Sequence, residues 1–215
     1  MRQRPTTTTF ALLGLLAIRP WTGYELTRQA RRSLRYAWPS SEAHLYREQK
    51  RLVQLGWAKL EREAVGQRTR NRYEITVDGR EALRLWLDTP PAGPRLEIEG
   101  LVRTFFGDAG SPEALRRSMQ VTAAEARVAR DDLVALVEDY LETGGPFPQR
   151  LHVIAMSADL ITDLLGRISG FFEEADAEVA SWSSTEDLGM TKATLGRLES
   201  IAQRATRARR ADQPV

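Results

Sequence analysis

The stretch Ser40-Ser41-Glu42-Ala43-His44-Leu45-Tyr46-Arg47-Glu48-Gln49-Lys50-Arg51-Leu52-Val53-Gln54-Leu55-Gly56 decides the reading of this chain. Ser40 or Ser41 supplies the hydroxyl that accepts from a free amide at a helix start. Gly56 is the residue type that commonly follows a helix C-terminus. Wound at about 100° per residue, Leu45, Leu52 and Leu55 fall on one side together with Glu48 and Gln49. Arg47, Lys50, Gln54 and Ala43 fall opposite, with His44 and Arg51 on one flank and Tyr46 on the other. Arginine can donate two bonds to guanine, glutamine can pair with adenine, and lysine or tyrosine can reach phosphate, so the second face suits the major groove. Serine hydroxyls and free amides at the helix start can hold a phosphate as well. Taken alone, the same pattern fits a solvated amphipathic helix equally well.

The surroundings shift that balance. Upstream, Thr9 is the expected N-cap of a helix through Ile18 whose dense leucines (Leu12, Leu13, Leu15 and Leu16) demand burial; Pro20 ends it. Thr22 then caps a second helix, Gly23 to about Leu34, with Tyr24, Leu26 and Ala30 expected to face inward, and Trp38-Pro39 breaks it. Downstream, Trp57 to Val65 and Arg70 to Thr76 read as strands joined by a Gly66-Gln67-Arg68-Thr69 tip, with Tyr73 and Ile75 alternating against Arg72 and Glu74. Thr76 caps a fourth helix containing Leu83, Trp86 and Leu87, which Pro90-Pro91 ends. Helix, helix, helix, hairpin, helix is the winged helix-turn-helix order. Arg68, Arg70 and Arg72 cluster on or beside the hairpin tip, where a wing lies along a minor groove or the backbone, and Thr69 and Asn71 add neutral donors. The expected DNA-contacting set is therefore Tyr24, Ser40, Ser41, His44, Tyr46, Arg47, Lys50, Arg51, Gln54, Arg68, Thr69, Arg70 and Arg72.

Charge supports a polyanionic partner for this first portion. Through Thr89 there are seventeen Lys and Arg against nine Asp and Glu; thereafter there are fourteen against twenty. The chain has no cysteine, which excludes thiolate metal sites and cysteine nucleophiles and fits a reducing cytoplasm. His44 and His152 stand far apart, and no metal-ligand cluster, phosphate loop or nucleophile elbow is visible. Asp131-Asp132 and Glu173-Glu174 read as solvated charge on long helices. The expectation is no enzyme, no catalytic residue, no metal and no cofactor. A basic Met1 to Arg4 before an apolar Phe10 to Ile18 mimics a secretory signal, but Arg19-Pro20-Trp21 replaces a small-residue cleavage site. A core helix in a cytoplasmic protein is the expected reading.

A Pro- and Gly-rich linker, Thr89 to Pro94, separates a domain of residues 1–90 from one of residues 91–215. A short helix from about Leu96 to Phe106 precedes a strong start at Ser111-Pro112-Glu113. Leu115, Met119, Thr122, Ala126, Ala129, Leu133, Leu136 and Tyr140 follow at spacings of three and four, until Gly144-Gly145-Pro146 breaks the helix. Leu151, Ile154, Ala158, Ile161, Leu165, Ile168 and Phe172, continued by Ala175, Val179 and Trp182, keep a strict three-four alternation. That is the seam of a coiled coil, expected here to join two chains; the alternative is a pair of helices folded back within one chain. A last helix spans Thr191 to about Ala205, and residues 207–215 are expected to fray. The expected fold is mainly α with a small β-hairpin: an N-terminal winged helix-turn-helix domain followed by an α-helical coiled-coil dimerisation domain.

The residues also carry a family resemblance. Ala11-Leu12-Leu13-Gly14-Leu15-Leu16-Ala17, Pro20, Gly23-Tyr24-Glu25-Leu26, Trp38, Ser40, Leu45-Tyr46, Arg51-Leu52 and Leu55-Gly56 resemble, in order, the PadR family of transcriptional regulators. Tyr73, Thr76, Gly79-Arg80 and Trp86-Leu87 extend the match, and the Lys50 to Gly56 run resembles a subgroup with a long helical arm. The resemblance implies a homodimer on successive half-sites of a pseudo-palindromic double-stranded operator, usually a repressor, released by a small aromatic or apolar effector. It places the first and fourth helices near the dimer centre, which makes Phe10 and Trp86 the candidates for an effector pocket. Gln49 departs from it, standing where the family shows leucine. The rival reading is a protein-interaction adaptor using the winged domain and the coiled coil without specific DNA binding.

Overall fold

A computed structural model describes residues 4–65, 68–186 and 188–211, and the side chains of these except 62–70 and 208–211. The chain divides into two compact units between Arg95 and Leu96.

The first unit opens with α1 (Thr7–Ile18). Its N-cap is Thr6: the Thr6 hydroxyl accepts from the Thr9 amide at 3.3 Å, and the Thr9 hydroxyl accepts from the Thr6 amide at 2.9 Å. Thr9, expected as the cap, is instead the returning member of this reciprocal pair, so the helix begins earlier. A two-residue strand that the sequence reading did not contain, β1 (Trp21–Thr22), follows Pro20. The helix α2 (Gly23–Leu34) is capped by Thr22, with Glu25 returning the bond. Leu26 and Ala30 are buried on it, whereas Tyr24 is 66% exposed, contrary to expectation. Two residues of helix rotate a side chain by about 200°, so Tyr24 and Leu26 cannot share a face.

Ser41 caps α3 (Glu42–Gln54), Leu55 closes it, and Gly56 leaves it with φ 73°, in the left-handed region that favours glycine. The strands β2 (Ala58–Val65) and β3 (Arg68–Ile75) pair antiparallel from Ala58↔Ile75 to Val65↔Arg68. Arg68 and Thr69 thus belong to the ladder rather than to the turn, because the strands pair further out than the alternating pattern revealed. Gly66 and Gln67 lie outside the described residues. With β1 beside β3 (Trp21↔Tyr73, Thr22↔Arg72), the sheet has the order β1-β3-β2. Thr76 caps α4 (Val77–Leu87), and its hydroxyl also donates to the Gly56 carbonyl at 2.7 Å. At Gly79 a β-carbon would lie 2.1 Å from the Trp57 carbonyl oxygen, so only glycine lets α4 start against the hairpin base. The leucines of α1, with Leu26, Ala30, Leu45, Leu52, Ala58 and Ile75, form the core.

The second unit contains α5 (Glu99–Phe105), α6 (Pro112–Thr143), α7 (Leu151–Val179) and α8 (Lys192–Ala211). Gly144 and Gly145, both at positive φ, reverse the chain after α6. Hence α6 and α7 run antiparallel, tied by Arg116 to Asp176 at 2.8 Å and Arg127 to Glu173 at 2.6 Å. Phe172 and Val179 are buried against Leu115, Met119 and Ala123, with Ile168, Ala175 and Trp182 packed on that cluster.

The α7 stripe expected to join two chains is therefore covered, at Ile168 and Phe172, by α6 of the same chain. Leu151, Ile154, Ala158, Ile161 and Leu165 continue the stripe as half-buried positions. A three-four alternation requires that some helix lie on the stripe but not whose, and the Gly144-Gly145 reversal brings one within reach at no cost in association entropy. The helix α8 continues through Ala211, past Arg207 where fraying was expected. No helix among the described residues is long and apolar enough to cross a membrane.

Candidate nucleic-acid interface

Two polar side chains hold α3 from behind. Glu48 is buried, accepts a hydrogen bond from the fully buried Thr9 hydroxyl, and lies 3.5 Å from both the Thr6 hydroxyl and Arg51 Nη1. Gln49, where the family resemblance implied leucine, is fully buried too. Its Nε2 donates to the Thr27 hydroxyl at 2.8 Å and to the Gly23 carbonyl at 3.1 Å, joining α3 to the start of α2. Gly23 leaves room for this: a β-carbon there would sit 2.9 Å from Gln49 Oε1.

The opposite face of α3 is open. Ala43, Arg47, Lys50 and Gln54 are exposed; His44 flanks them half-buried, its Nδ1 3.4 Å from Arg47 Nη2. Tyr46, 39% exposed, is on the other flank. Ser41 is exposed and its hydroxyl accepts from the His44 amide at 3.3 Å, while Ser40 is half-buried. Arg51 is the exception in the expected set. Its side chain is only 13% exposed and turns toward Glu48, because a buried carboxylate on the same helix attracts the nearest guanidinium.

Residues 12–85 match the family model described as the transcriptional regulator PadR-like family. They form a PadR-like domain. No curated protein matches the chain. Three solved structures at 19% identity share the fold. They are smu.1604c from Streptococcus mutans UA159 (TM-score 0.70, covering 79% of this chain and 98% of that one), the PadR-like transcriptional regulator BC1756 from Bacillus cereus (0.68; 81% and 99%), and Bacillus subtilis PadR in complex with operator DNA (0.66; 81% and 99%). Bacillus subtilis PadR has also been solved in complex with p-coumaric acid (TM-score 0.61, 19% identity; 82% and 100%).

Within the PadR-like domain the wing is only partly described. The side chains of Arg68, Thr69 and Arg70 lie outside the described residues. Arg72 is half-buried at the wing's base, in register with Thr22 and Glu61, and its charge reaches Glu25. The Glu25 carboxyl sits below its ordinary range chiefly because it accepts the Thr22 amide, with the Thr22 hydroxyl, Arg19 and Arg72 adding to the effect. Beside α3, Tyr73 is pushed up by burial. Tyr24 is well exposed on α2, and Arg28 lies over its ring at 5.8 Å. Arg28, four residues on from Tyr24 on the same helix, is a further exposed cation beside it. Phe10 and Trp86 are brought together, but as a packed pair: their rings stack at 4.9 Å, and Trp57 closes on Phe10 at 5.4 Å. Both residues remain half-buried rather than fully covered.

Proposed function

We propose that the protein is a homodimeric, sequence-specific DNA-binding transcriptional regulator acting in the cytoplasm, a repressor released from operator DNA by a small aromatic or apolar effector. The observation that carries this reading is the two-sidedness of α3: Leu45, Glu48, Gln49 and Leu52 are buried inward while Arg47, Lys50 and Gln54 are exposed on the outside of a PadR-like domain. Arg47 and Gln54 read base edges, and Lys50, Tyr46, Ser41 and His44 hold the phosphate backbone. The wing residues Arg68, Thr69, Arg70 and Arg72, with Tyr24 and Ser40 at the rim, complete the contact. The operator complex known for Bacillus subtilis PadR supports this use of the fold, and its p-coumaric acid complex supports a small effector.

Dimerisation is assigned to α7, through the half-buried Leu151, Ile154, Ala158, Ile161 and Leu165 of the first stripe and through a second face, because α6 covers the first at Ile168 and Phe172. Val153, Met156, Leu160 and Leu164 are all at least 40% exposed, with Met156 and Leu160 above 70%. At about 100° per residue these four line a stripe roughly a quarter-turn from the covered one. Bare apolar positions repeating along one helix face are what a second copy would bury.

Gel retardation with duplex fragments from immediately upstream of the coding region tests the reading. A retarded complex should weaken steeply as salt rises, since each neutralised phosphate contributes a slope of about −0.9 in log affinity against log salt. Arg47→Ala should abolish sequence preference while leaving the dimer intact. A protein that retards no fragment at low salt, yet captures a protein partner with little salt dependence, would establish the adaptor reading instead.

A further inference from the structure

We infer that the cavity enclosed by α5, α6, the end of α7 and the start of α8 is a binding site for a compact apolar molecule carrying one positive charge. The cavity measures about 750 Å³, within the range of roughly 300–1,000 Å³ usual for small-molecule sites. Its floor is the buried Leu115, Met119 and Val179, and its walls are Phe105, Phe171 and Trp182. Phe105 lines the cavity yet is 79% exposed, and Phe171 is 40% exposed, so the walls present bare aromatic surface that an occupant would cover. The connection between α7 and α8 is held across one side. The Thr185 hydroxyl donates to the Gly110 carbonyl at 2.7 Å, and the Thr194 hydroxyl donates to the Leu188 carbonyl at 3.2 Å.

The sign of the occupant's charge follows from the lining. Asp108, Glu178 and Glu186 contribute three carboxylates against one guanidinium, Arg197, and Arg197 is ion-paired with Glu178. Asp108 and Glu186 have no ion pair among the described residues, so the lining carries a net negative charge. Aromatic ring faces attract cations as well, tryptophan most strongly. An anion entering here would lose its hydration beside three carboxylates; a cation with an apolar body gains from walls and rim together.

The site lies wholly after Arg95 and its occupancy is read without DNA, so the outcome below is separate from that of the operator experiment. Full-length protein is titrated calorimetrically with tetraphenylphosphonium and with tetraphenylborate, two probes of matched shape and opposite charge. Trp182, the one tryptophan after residue 95, gives a second readout by its emission. The phosphonium is expected to saturate one site per chain at least tenfold more tightly than the borate. Neutralising Asp108→Asn together with Glu186→Gln, both at exposed positions, should shrink that ratio below about threefold. Ala175→Phe, which fills the cavity from α7, should abolish phosphonium binding with helicity unchanged. Absence of saturable phosphonium binding, borate binding of equal or greater strength, or a preference untouched by the double neutralisation would each overturn the assignment.

Discussion

Replacing Thr9 by valine removes one hydroxyl and changes almost nothing else, since the two side chains have nearly the same shape. Thr9 is fully buried, and its hydroxyl does two things: it donates to the buried Glu48 carboxylate and accepts the Thr6 amide that closes the α1 cap. A hydrogen bond to a charged group contributes about 1.5–3 kcal/mol, and the returning half of a cap about 0.5–1 kcal/mol. Thr9→Val should therefore cost about 3 kcal/mol, which for a unit of this size lowers the thermal midpoint by roughly 12–20 °C. Urea unfolding followed by tryptophan emission suits the measurement, because Trp21, Trp38, Trp57 and Trp86 all belong to the first unit. The slope against urea should not change, since the substitution exposes no new surface. Repeating it in a Glu48→Gln background isolates the charge. A neutral amide needs the donor less, so the same substitution should cost about half as much there, a coupling of about 1–2 kcal/mol. A cost below about 1 kcal/mol, or the same cost in both backgrounds, would refute the claim that Thr9 solvates a buried carboxylate.

Three further outcomes follow from the same structure. Gln49→Leu removes a buried Oε1 that has no hydrogen-bond partner but also the Nε2 bonds to Thr27 and Gly23; the two effects offset, so stability should stay within about 1 kcal/mol of the parent, whereas Gln49→Glu, which buries a charge, should cost about 3 kcal/mol or more in urea unfolding. Because folding lowers the Glu25 carboxyl, its contribution is complete above the ordinary carboxylate range and is lost as pH falls through the lowered value; Glu25→Gln should flatten the acid limb of a thermal-midpoint profile, by no more than about 1 kcal/mol given its partial exposure. Leu160→Asp should split the dimer in sedimentation with helicity retained, while Leu165→Asp, on the stripe facing α6, should lower helical stability by circular dichroism.

Much of the first unit was legible because its signals are local. Thr22, Ser41 and Thr76 cap the helices they were expected to cap, and the burial of Leu45, Glu48, Gln49 and Leu52 follows directly from winding the segment. What escaped was set by partners distant in sequence. Trp21 and Thr22 are too short a run to show alternation, and they become a strand only because Tyr73 and Arg72 offer a ladder. Arg51 looked like a flank residue free for DNA until Glu48 proved buried and drew it inward. The α7 stripe meets α6 at Ile168 and Phe172, and periodicity contains no information about whether a seam's partner is the same molecule. Nor does it mark the exposed second stripe: in the sequence Met156, Leu160 and Leu164 look no different from the positions around them.

The placing of Glu48 and Gln49 bears on how α3 would read DNA under the proposed function. Apolar contacts through Leu45 and Leu52 supply the burial, but leucine packing tolerates small rotations and slips at modest cost. The two polar links do not. Glu48 meets Thr9 on α1, Gln49 meets Thr27 and the Gly23 carbonyl on α2, and both need hydrogen-bond geometry to be kept. Adjacent on the helix, they point about 100° apart and so restrain α3 about its own axis from two directions. Arg47, Lys50 and Gln54 lie opposite, and a bidentate contact to a base edge tolerates little rotation before one of its two bonds fails. A buried carboxylate and a buried amide cost desolvation that two leucines would avoid. Placed behind the face proposed to read DNA, they convert that cost into a fixed bearing for the side chains in front, which is why substitutions at Thr9 and Glu48 should disturb sequence preference along with stability.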